Sequence, residues 1–200
     1  MRKARRFFSA LLLAAMIFAF ASIGSAYEVK MLNFAVILNN AAIKDCAAGN
    51  SLIDDFIPAA RKYNLRPTVF IDTDGLEYNS DLIFAMSKLK IYGYEIYPEA
   101  RDAASAEKFR LFMRHTIKRG TPFVLAYDEG EDFPGFEKIK LKNTARFYDD
   151  FMSALGGAGT GCTGLILSDE NLYTLEIILG NCNAGESIPA DIYSLAKEGK

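Results

Sequence analysis

The chain has 200 residues, half of them hydrophobic, with 23 basic and 25 acidic side chains and a formal charge of −2. This length suits a single domain with a sizeable core. The sequence contains no block of basic residues and no basic strip interleaved with aromatic residues, so a nucleic-acid partner has little electrostatic support and we expect none.

The N-terminus has the layout of a secretory signal. Four basic residues at positions 2, 3, 5 and 6 precede an uncharged run over residues 7–26, which ends in small side chains suited to a signal peptidase. We predict a signal peptide at 1–26 and one domain at 27–200, in an exported protein that is periplasmic or extracellular. The alternative is an uncleaved anchor, because the run is about the ~20 residues that cross a bilayer; membrane contact is expected only in that case.

Cleavage would also change the charge. The remaining chain has 19 basic and 25 acidic residues, a formal charge of −6. An acidic protein is better matched to a neutral or cationic partner, such as a glycan, than to a polyanion.

Beyond residue 29, short apolar runs alternate with helical stretches, which is typical of a mostly parallel α/β sheet or barrel. Within the helices, Pro58 is expected to kink its helix or to mark its true start. A glycine-rich stretch at 156–164 is interpreted as a surface turn, because a strand follows it and a phosphate-binding loop opens into a helix. Strands are predicted at 31–38, 68–72, 94–97, 122–127, 136–141, 164–167 and 188–193, and helices at 51–64, 80–92, 105–119, 144–155 and from 168 or 169 to 179.

Three cysteines lie in the predicted mature domain, which should meet an oxidising compartment. A bridge between Cys162 and Cys182 would close a loop of about 20 residues and stabilise the fold by roughly 3 kcal/mol. Cys46 would then be left without a disulfide partner. Three thiols without a bridge remain the alternative, because sequence does not show that the sulfurs meet.

Three segments occur in an order that resembles the polysaccharide deacetylase family. A strand ends in Asn39-Asn40-Ala41, a helix leads into the run Lys62-Tyr63-Asn64-Leu65-Arg66-Pro67-Thr68-Val69-Phe70, and a turn reads Gly93-Tyr94-Glu95-Ile96. The resemblance is good over residues 34–103 and weaker but order-preserving afterwards. It implies a distorted (β/α) barrel with its site at the C-terminal ends of the strands.

The same resemblance implies a metal site whose residues are missing. Family members use an aspartate base and hold a divalent metal, usually zinc, with one aspartate and two histidines. These positions fall on Asn39 for the base, Asn40 for the aspartate ligand, and Glu99 and Ala103 for the histidines. An amide takes up no proton and brings no negative charge, and the chain has a single histidine, His115, which we assign to a helix surface. No metal and no cofactor are therefore expected.

Polar and aromatic side chains near the predicted strand ends form the candidate ligand site: Asn39, Asn40, Glu95, Tyr97, Glu99, Tyr127 and Asp128. Aromatic faces at a barrel mouth stack on sugar rings. Two alternatives stay open at this point. The first is a carboxylate-only calcium or magnesium site, and the second is an acid and base pair of glycosidase type, for instance Asp72 with Glu99.

The sequence thus predicts an exported deacetylase-like barrel that binds a glycan or another component of the cell envelope without catalysis. An active atypical carbohydrate deacetylase or hydrolase on acetylated polysaccharide is the alternative. A structural or regulatory partner of an envelope protein is a further one, and an exposed apolar patch would distinguish it. The oligomeric state is not predicted.

Overall fold

A computed structural model describes residues 30–127, 132–145, 162–183 and 187–198. The strands are β1 (Lys30–Leu32), β2 (Phe34–Leu38), β3 (Val69–Asp72), β4 (Ile96–Glu99), β5 (Phe123–Tyr127), β6 (Glu137–Ala145), β7 (Cys162–Ile166) and β8 (Ser187–Pro189). The helices are α1 (Asn40–Ile43), α2 (Leu52–Lys62), α3 (Ser80–Ile91), α4 (Ala103–Thr116), α5 (Asp169–Asn183) and α6 (Ile192–Glu198), with a 3₁₀ turn at Cys46–Ala48. Within these residues no helix is both long and apolar enough to cross a membrane.

Six strands close into a barrel in the order β2-β3-β4-β5-β6-β7, and every neighbouring pair is parallel. Strands β1 and β8 form a separate parallel pair. Parallel neighbours need crossover connections, which α2, α3 and α4 supply around the first half of the barrel. The expectation of a (β/α) barrel is therefore confirmed.

Alternation along the strands divides the core in two. Side chains such as Ile37, Phe70 and Tyr97 point into the barrel and form one buried cluster. Their sequence neighbours, such as Val36 and Ile71, point outward and pack beneath the helices in a second cluster. Most positions on both faces of β2, β3, β4, β5 and β7 are thus buried, which explains why these strands read as mostly apolar runs. Strand β6 differs, because Lys138, Lys140 and Lys142 alternate there with the buried Ile139 and Leu141.

Helix α6 closes the end of the barrel at which the strands begin. Its Ile192 and Leu195 belong to the same buried cluster as the residues inside the barrel. The ring of Tyr193 packs edge-on against Phe123 with 5.6 Å between centroids. The barrel interior is therefore a packed core, closed by α6 at one end. We call the opposite end, where the strands finish, the mouth.

Several predicted elements need correction. The strand expected at 188–193 ends at Pro189, and α6 follows, because Asp191 Oδ1 accepts a hydrogen bond from the Ser194 amide at 2.7 Å and caps the new helix. Strand β6 continues to Ala145 through a register shift, so the helix predicted at 144–155 is wrong for its first two residues; the rest lies outside the described residues. Pro58 lies inside α2, which begins earlier, at Leu52.

Candidate functional site at the barrel mouth

The inward positions at the strand ends define the mouth. The last inward residues of β3 and β4 are Asp72 and Glu99, which pair across the two strands, and Tyr127 ends β5. Below them, the rings of Tyr97 and Phe70 lie 5.6 Å apart and form the floor. Polar groups thus stand above an aromatic layer, as in many sites that bind small molecules.

The carboxyl groups of Asp72 and Glu99 form a hydrogen-bonded pair. Glu99 is only 7% exposed. Burial, together with the charge of Asp72 and the hydrogen bond to it, raises the pKa of Glu99 from 4.5 to about 8. At neutral pH the raised pKa keeps the Glu99 carboxyl protonated, so the hydrogen bond between the two carboxyls holds a proton. One oxygen of Asp72 also accepts from the Asp74 amide at 2.8 Å, which fixes the orientation of the pair.

The backbone around the pair is tied across the sheet. The Thr73 amide and hydroxyl both donate to the carbonyl of Glu99, at 3.0 and 2.9 Å. Outside the barrel, Arg101 forms an ion pair with Asp74 at 3.2 Å. The hydrogen bonds of Thr73 and the ion pair of Asp74 therefore fix the backbone that carries both carboxyls, so the pair is preorganised.

The two asparagines at the end of β2 have structural partners. Asn39 Oδ1 caps α1 by accepting from the Ala42 amide at 3.1 Å. The Asn40 side chain bridges to the loop after β3: its amide nitrogen donates to the Gly75 carbonyl at 2.6 Å, and its oxygen accepts from the Glu77 amide at 3.1 Å. An amide supplies both a donor and an acceptor for this bridge, whereas a carboxylate would supply acceptors only.

The described residues do not fit the zinc site that the resemblance implies. Both polar side-chain atoms of Asn40 are engaged in the loop bridge, and Glu99 is hydrogen-bonded to Asp72. Ala103, the first residue of α4, has a methyl side chain, which cannot bind a metal. Within the described parts of the chain, no group of three or more histidine, cysteine, aspartate or glutamate side chains is placed to hold a metal ion. A zinc site needs such a set of three ligands with an open position.

Two of the predicted ligand residues are not brought to the mouth. Glu95 precedes β4 and lies, exposed, at the opposite end of the barrel from Glu99. Tyr97 is buried inside the barrel, and its hydroxyl donates to a Glu95 carboxylate oxygen at 2.6 Å. Burial and this bond raise the pKa of the Tyr97 phenol well above its usual range. Tyr97 therefore supports the floor of the mouth and points its polar atom away from it.

Tyr127, at the end of β5, has 42% of its surface exposed. Asp128 lies outside the described residues. Cys162 is buried inside the barrel, while the side chain of Cys182 is not described, so their bridge stays a prediction. Cys46 is buried against the outer core and forms no disulfide with a described residue. His115 is exposed on α4, as expected for a helix-surface residue.

Known structures share this barrel, although no protein-family model and no curated protein matches the sequence. A mutant of BA3943, described as a CE4 family pseudoenzyme with restored enzymatic activity, superposes with a TM-score of 0.59 at 8% identity, over 86% of this chain and 69% of the other. The peptidoglycan N-acetylglucosamine deacetylase Bc1960 gives 0.58 at 11% identity, over 84% and 89% of the two chains. The fold is that of the CE4 polysaccharide deacetylases.

Two further matches support the same conclusion about the fold. Wild-type BA3943 from Bacillus anthracis, described as a CE4 family pseudoenzyme, gives a TM-score of 0.57 at 8% identity. Peptidoglycan deacetylase PdaC from Bacillus subtilis gives 0.54 at 10% identity and is covered over 92% of its length. The CE4 fold thus accommodates both enzymes and pseudoenzymes, and at these identities the likeness concerns the fold alone.

Proposed function

We propose that this chain is an exported barrel of the CE4 type that binds a cell-envelope glycan at its mouth and does not act as a zinc-dependent deacetylase. The observation that carries the proposal is the pair formed by Asp72 and Glu99. It stands where barrel chemistry generally resides, and among the described residues no group of three potential metal ligands accompanies it.

A proton shared between two carboxyls suits a sugar hydroxyl. A hydroxyl both donates and accepts, and the pair offers the acceptor oxygens of Asp72 beside the donor proton of Glu99. Tyr127, on the strand next to Glu99, adds an exposed aromatic face on which a sugar ring can stack. Because Bc1960 and PdaC are named as acting on peptidoglycan, oligosaccharides of N-acetylglucosamine are the first ligands to test.

The second candidate function, an atypical carbohydrate hydrolase, rests on the protonated state of Glu99. A protonated acid next to an ionised carboxylate is the arrangement a glycosidase needs. The two carboxyls are in hydrogen-bonding contact, however, and the pairs of retaining glycosidases stand ~5 Å apart so that a sugar fits between them. The observed geometry therefore favours binding.

Calorimetric titration with tetra-N-acetylglucosamine, combined with an acetate assay, separates these functions. We expect saturable binding that survives chelator, weakens by about tenfold or more in Asp72→Ala because two hydrogen bonds are lost, and is unchanged in Asp55→Asn, an exposed carboxylate on α2. No acetate should appear with or without zinc. Acetate release that chelator abolishes would support the deacetylase instead, and cleavage of the chain into shorter sugars would support the glycosidase.

A further inference from the structure

The charges of the molecule are divided between the two ends of the barrel. In a (β/α) barrel the helices run opposite to the strands, so α2, α3 and α4 end on the side where the strands begin, away from the mouth. Basic residues collect at these helix ends, while Asp72, Asp74 and Glu99 lie at the mouth. We call the exposed basic residues at the closed end the basic rim: Arg61, Lys62, Arg66, Arg114, Lys118 and Arg119.

Two apolar side chains project from the middle of the basic rim. Ile91, the last residue of α3, is 78% exposed, and Tyr92 after it is 39% exposed. Farther up the same helix, Phe84 is also 49% exposed, although Ser87 and Lys88 lie between it and Ile91 on the outward face. Ile91 and Tyr92 thus form an exposed apolar pair at the end of α3, with cations on either side.

The cations of the rim are held close to these apolar residues. The Arg61 guanidinium lies 5.0 Å from the centre of the Tyr92 ring, and the Arg66 guanidinium packs against Gly93. Arg119 donates to the Tyr94 carbonyl at 3.5 Å. Three exposed positive charges thus surround the turn that carries Ile91 and Tyr92.

A second contact joins the ends of α3 and α4. Lys90 Nζ donates to the carbonyl of Ile117 at 2.7 Å, which adds another positive charge beside Ile91. Between α2 and α3, a groove of about 450 Å³ is lined by Arg61, Lys62 and Tyr92 among others. Among the described residues, the anions exposed at this end are fewer than the cations: Glu95, Glu137 and Asp191. The closed end is therefore locally basic in a chain whose predicted mature form is acidic.

We propose that the basic rim, together with Ile91 and Tyr92, docks on the surface of an anionic phospholipid bilayer. Lysine and arginine near such a surface are attracted to it, and an aromatic and an aliphatic side chain between them enter the headgroup region. The predicted secretory signal would carry the chain across that membrane. Docking by the closed end directs the mouth away from the bilayer, toward the glycan of the envelope.

A second copy of the chain fits this surface less well. A symmetric contact would place each Arg61 and Arg119 opposite like charges, and a stable dimer buries ~800 Å² per partner, more than two side chains and a helix edge supply. From the sequence, we expected membrane contact only through an uncut signal. The proposed docking is of a different kind, which does not depend on that segment and goes beyond the proposed glycan binding.

The test measures vesicle partitioning of the protein purified from the exported fraction of expressing cells, in the form that the cell leaves it. Vesicles of phosphatidylcholine with 30 mol % phosphatidylglycerol are compared with pure phosphatidylcholine at low salt. We expect the partition coefficient to be at least tenfold higher on anionic vesicles. The double variant Lys62→Gln/Lys118→Gln should lower it about 30-fold, at about 1 kcal/mol for each cation near the surface. Ile91→Ser should lower it roughly fivefold.

The matched control is Lys44→Gln/Lys108→Gln, which changes the net charge equally and lies away from the basic rim, on exposed positions. Circular dichroism checks that each variant is folded. Equal partitioning on both kinds of vesicle, or an equal loss in the control, would overturn the proposal. Light scattering that shows a dimer broken by Ile91→Ser would assign the surface to a second copy instead. Failure here leaves the titration with soluble oligosaccharide unaffected, because that experiment involves the mouth alone.

Discussion

The raised pKa of Glu99 predicts an unusual dependence of stability on pH. In the unfolded chain this carboxyl ionises near 4.5, whereas in the folded barrel it does so at about 8. Between these values the folded state binds a proton that the unfolded state has lost, so the free energy of unfolding falls as pH rises through this window. Carboxyl groups whose pKa is lowered by folding have their effect at acid pH, outside the window: Asp54, Asp102 and Asp191.

The magnitude follows from the same shift. Each pKa unit corresponds to 1.36 kcal/mol, so a fully expressed shift would remove about 5 kcal/mol across the window. We expect about 2–3 kcal/mol, because a mouth that faces solvent has a higher effective dielectric than a sealed core. A loss of this size is a large part of the stability of a typical domain.

Urea unfolding followed by circular dichroism at pH 5, 6, 7, 8 and 9 measures this effect. Glu99→Gln keeps the size of the side chain and a donor for Asp72 but does not ionise. Its stability should be nearly constant over the range, and at pH 9 it should exceed that of the unsubstituted protein. Asp55→Asn, at an exposed position on α2, should keep the original slope. A flat profile for the unsubstituted protein, or an unchanged slope in Glu99→Gln, would refute the account of the pair.

Three substitutions test other parts of the structure, each by urea unfolding. Asn40→Asp replaces the amide that donates to a loop carbonyl by a carboxylate, so we expect the free energy of unfolding to fall by about 1–2 kcal/mol. In calorimetry we expect this variant to bind no zinc. Stoichiometric zinc binding would show that a single substitution restores the metal site. Gly164→Ala introduces a methyl group against the Ile37 side chain inside the barrel, so we expect the free energy of unfolding to fall by about 1–3 kcal/mol. An unchanged stability would mean that the barrel interior is loosely packed. Asp54→Ala removes the acid of the capping box at the start of α2 and the ion pair with Lys88 at 2.5 Å. The free energy of unfolding should therefore fall by about 1–2 kcal/mol. An unchanged midpoint of urea unfolding would contradict both contacts.

Much of the barrel could be predicted from the sequence because most of its strands have a recognisable sequence pattern. Strands that are buried on both faces appear as short apolar runs, and the helices between them carry clear caps, such as Asn79 before α3 and Asp102 before α4. The end of the chain was mispredicted because residues 188–193 are as apolar as a strand. The capping spacing from Asp191 to Ser194 was the signal that could have revealed α6.

The site was only partly predictable, since sequence gives strand ends but not distances. The sequence predicts Glu99 as a ligand residue and leaves its pairing with Asp72 as one of two alternatives. The register of β3 and β4 is what brings the two together. Glu95 and Tyr97 are predicted beside Glu99 because alternation places Glu95 and Tyr97 on one face of the strand, close to its predicted end. A strand of four residues is long enough to put Glu95 at the far end of the barrel, and only the three-dimensional path shows this.

The asparagines at the end of β2 illustrate a different limit. Their sequence positions indicate the loss of a base and of a metal ligand, but not what replaced those roles. Asn39 caps α1, and Asn40 bridges to the loop after β3. A bridge of this kind links residues 35 or more positions apart, so no local pattern could have predicted it.

The most direct test of the central claim is a crystal structure of the protein with tetra-N-acetylglucosamine, grown with zinc present in the solution. The account predicts one sugar ring over Tyr127, a sugar hydroxyl within hydrogen-bonding distance of both Asp72 and Glu99, and no zinc between these carboxyls. A sugar bound elsewhere, or a zinc ion held at the end of β3 and β4 with acetate or a deacetylated sugar beside it, would contradict the account.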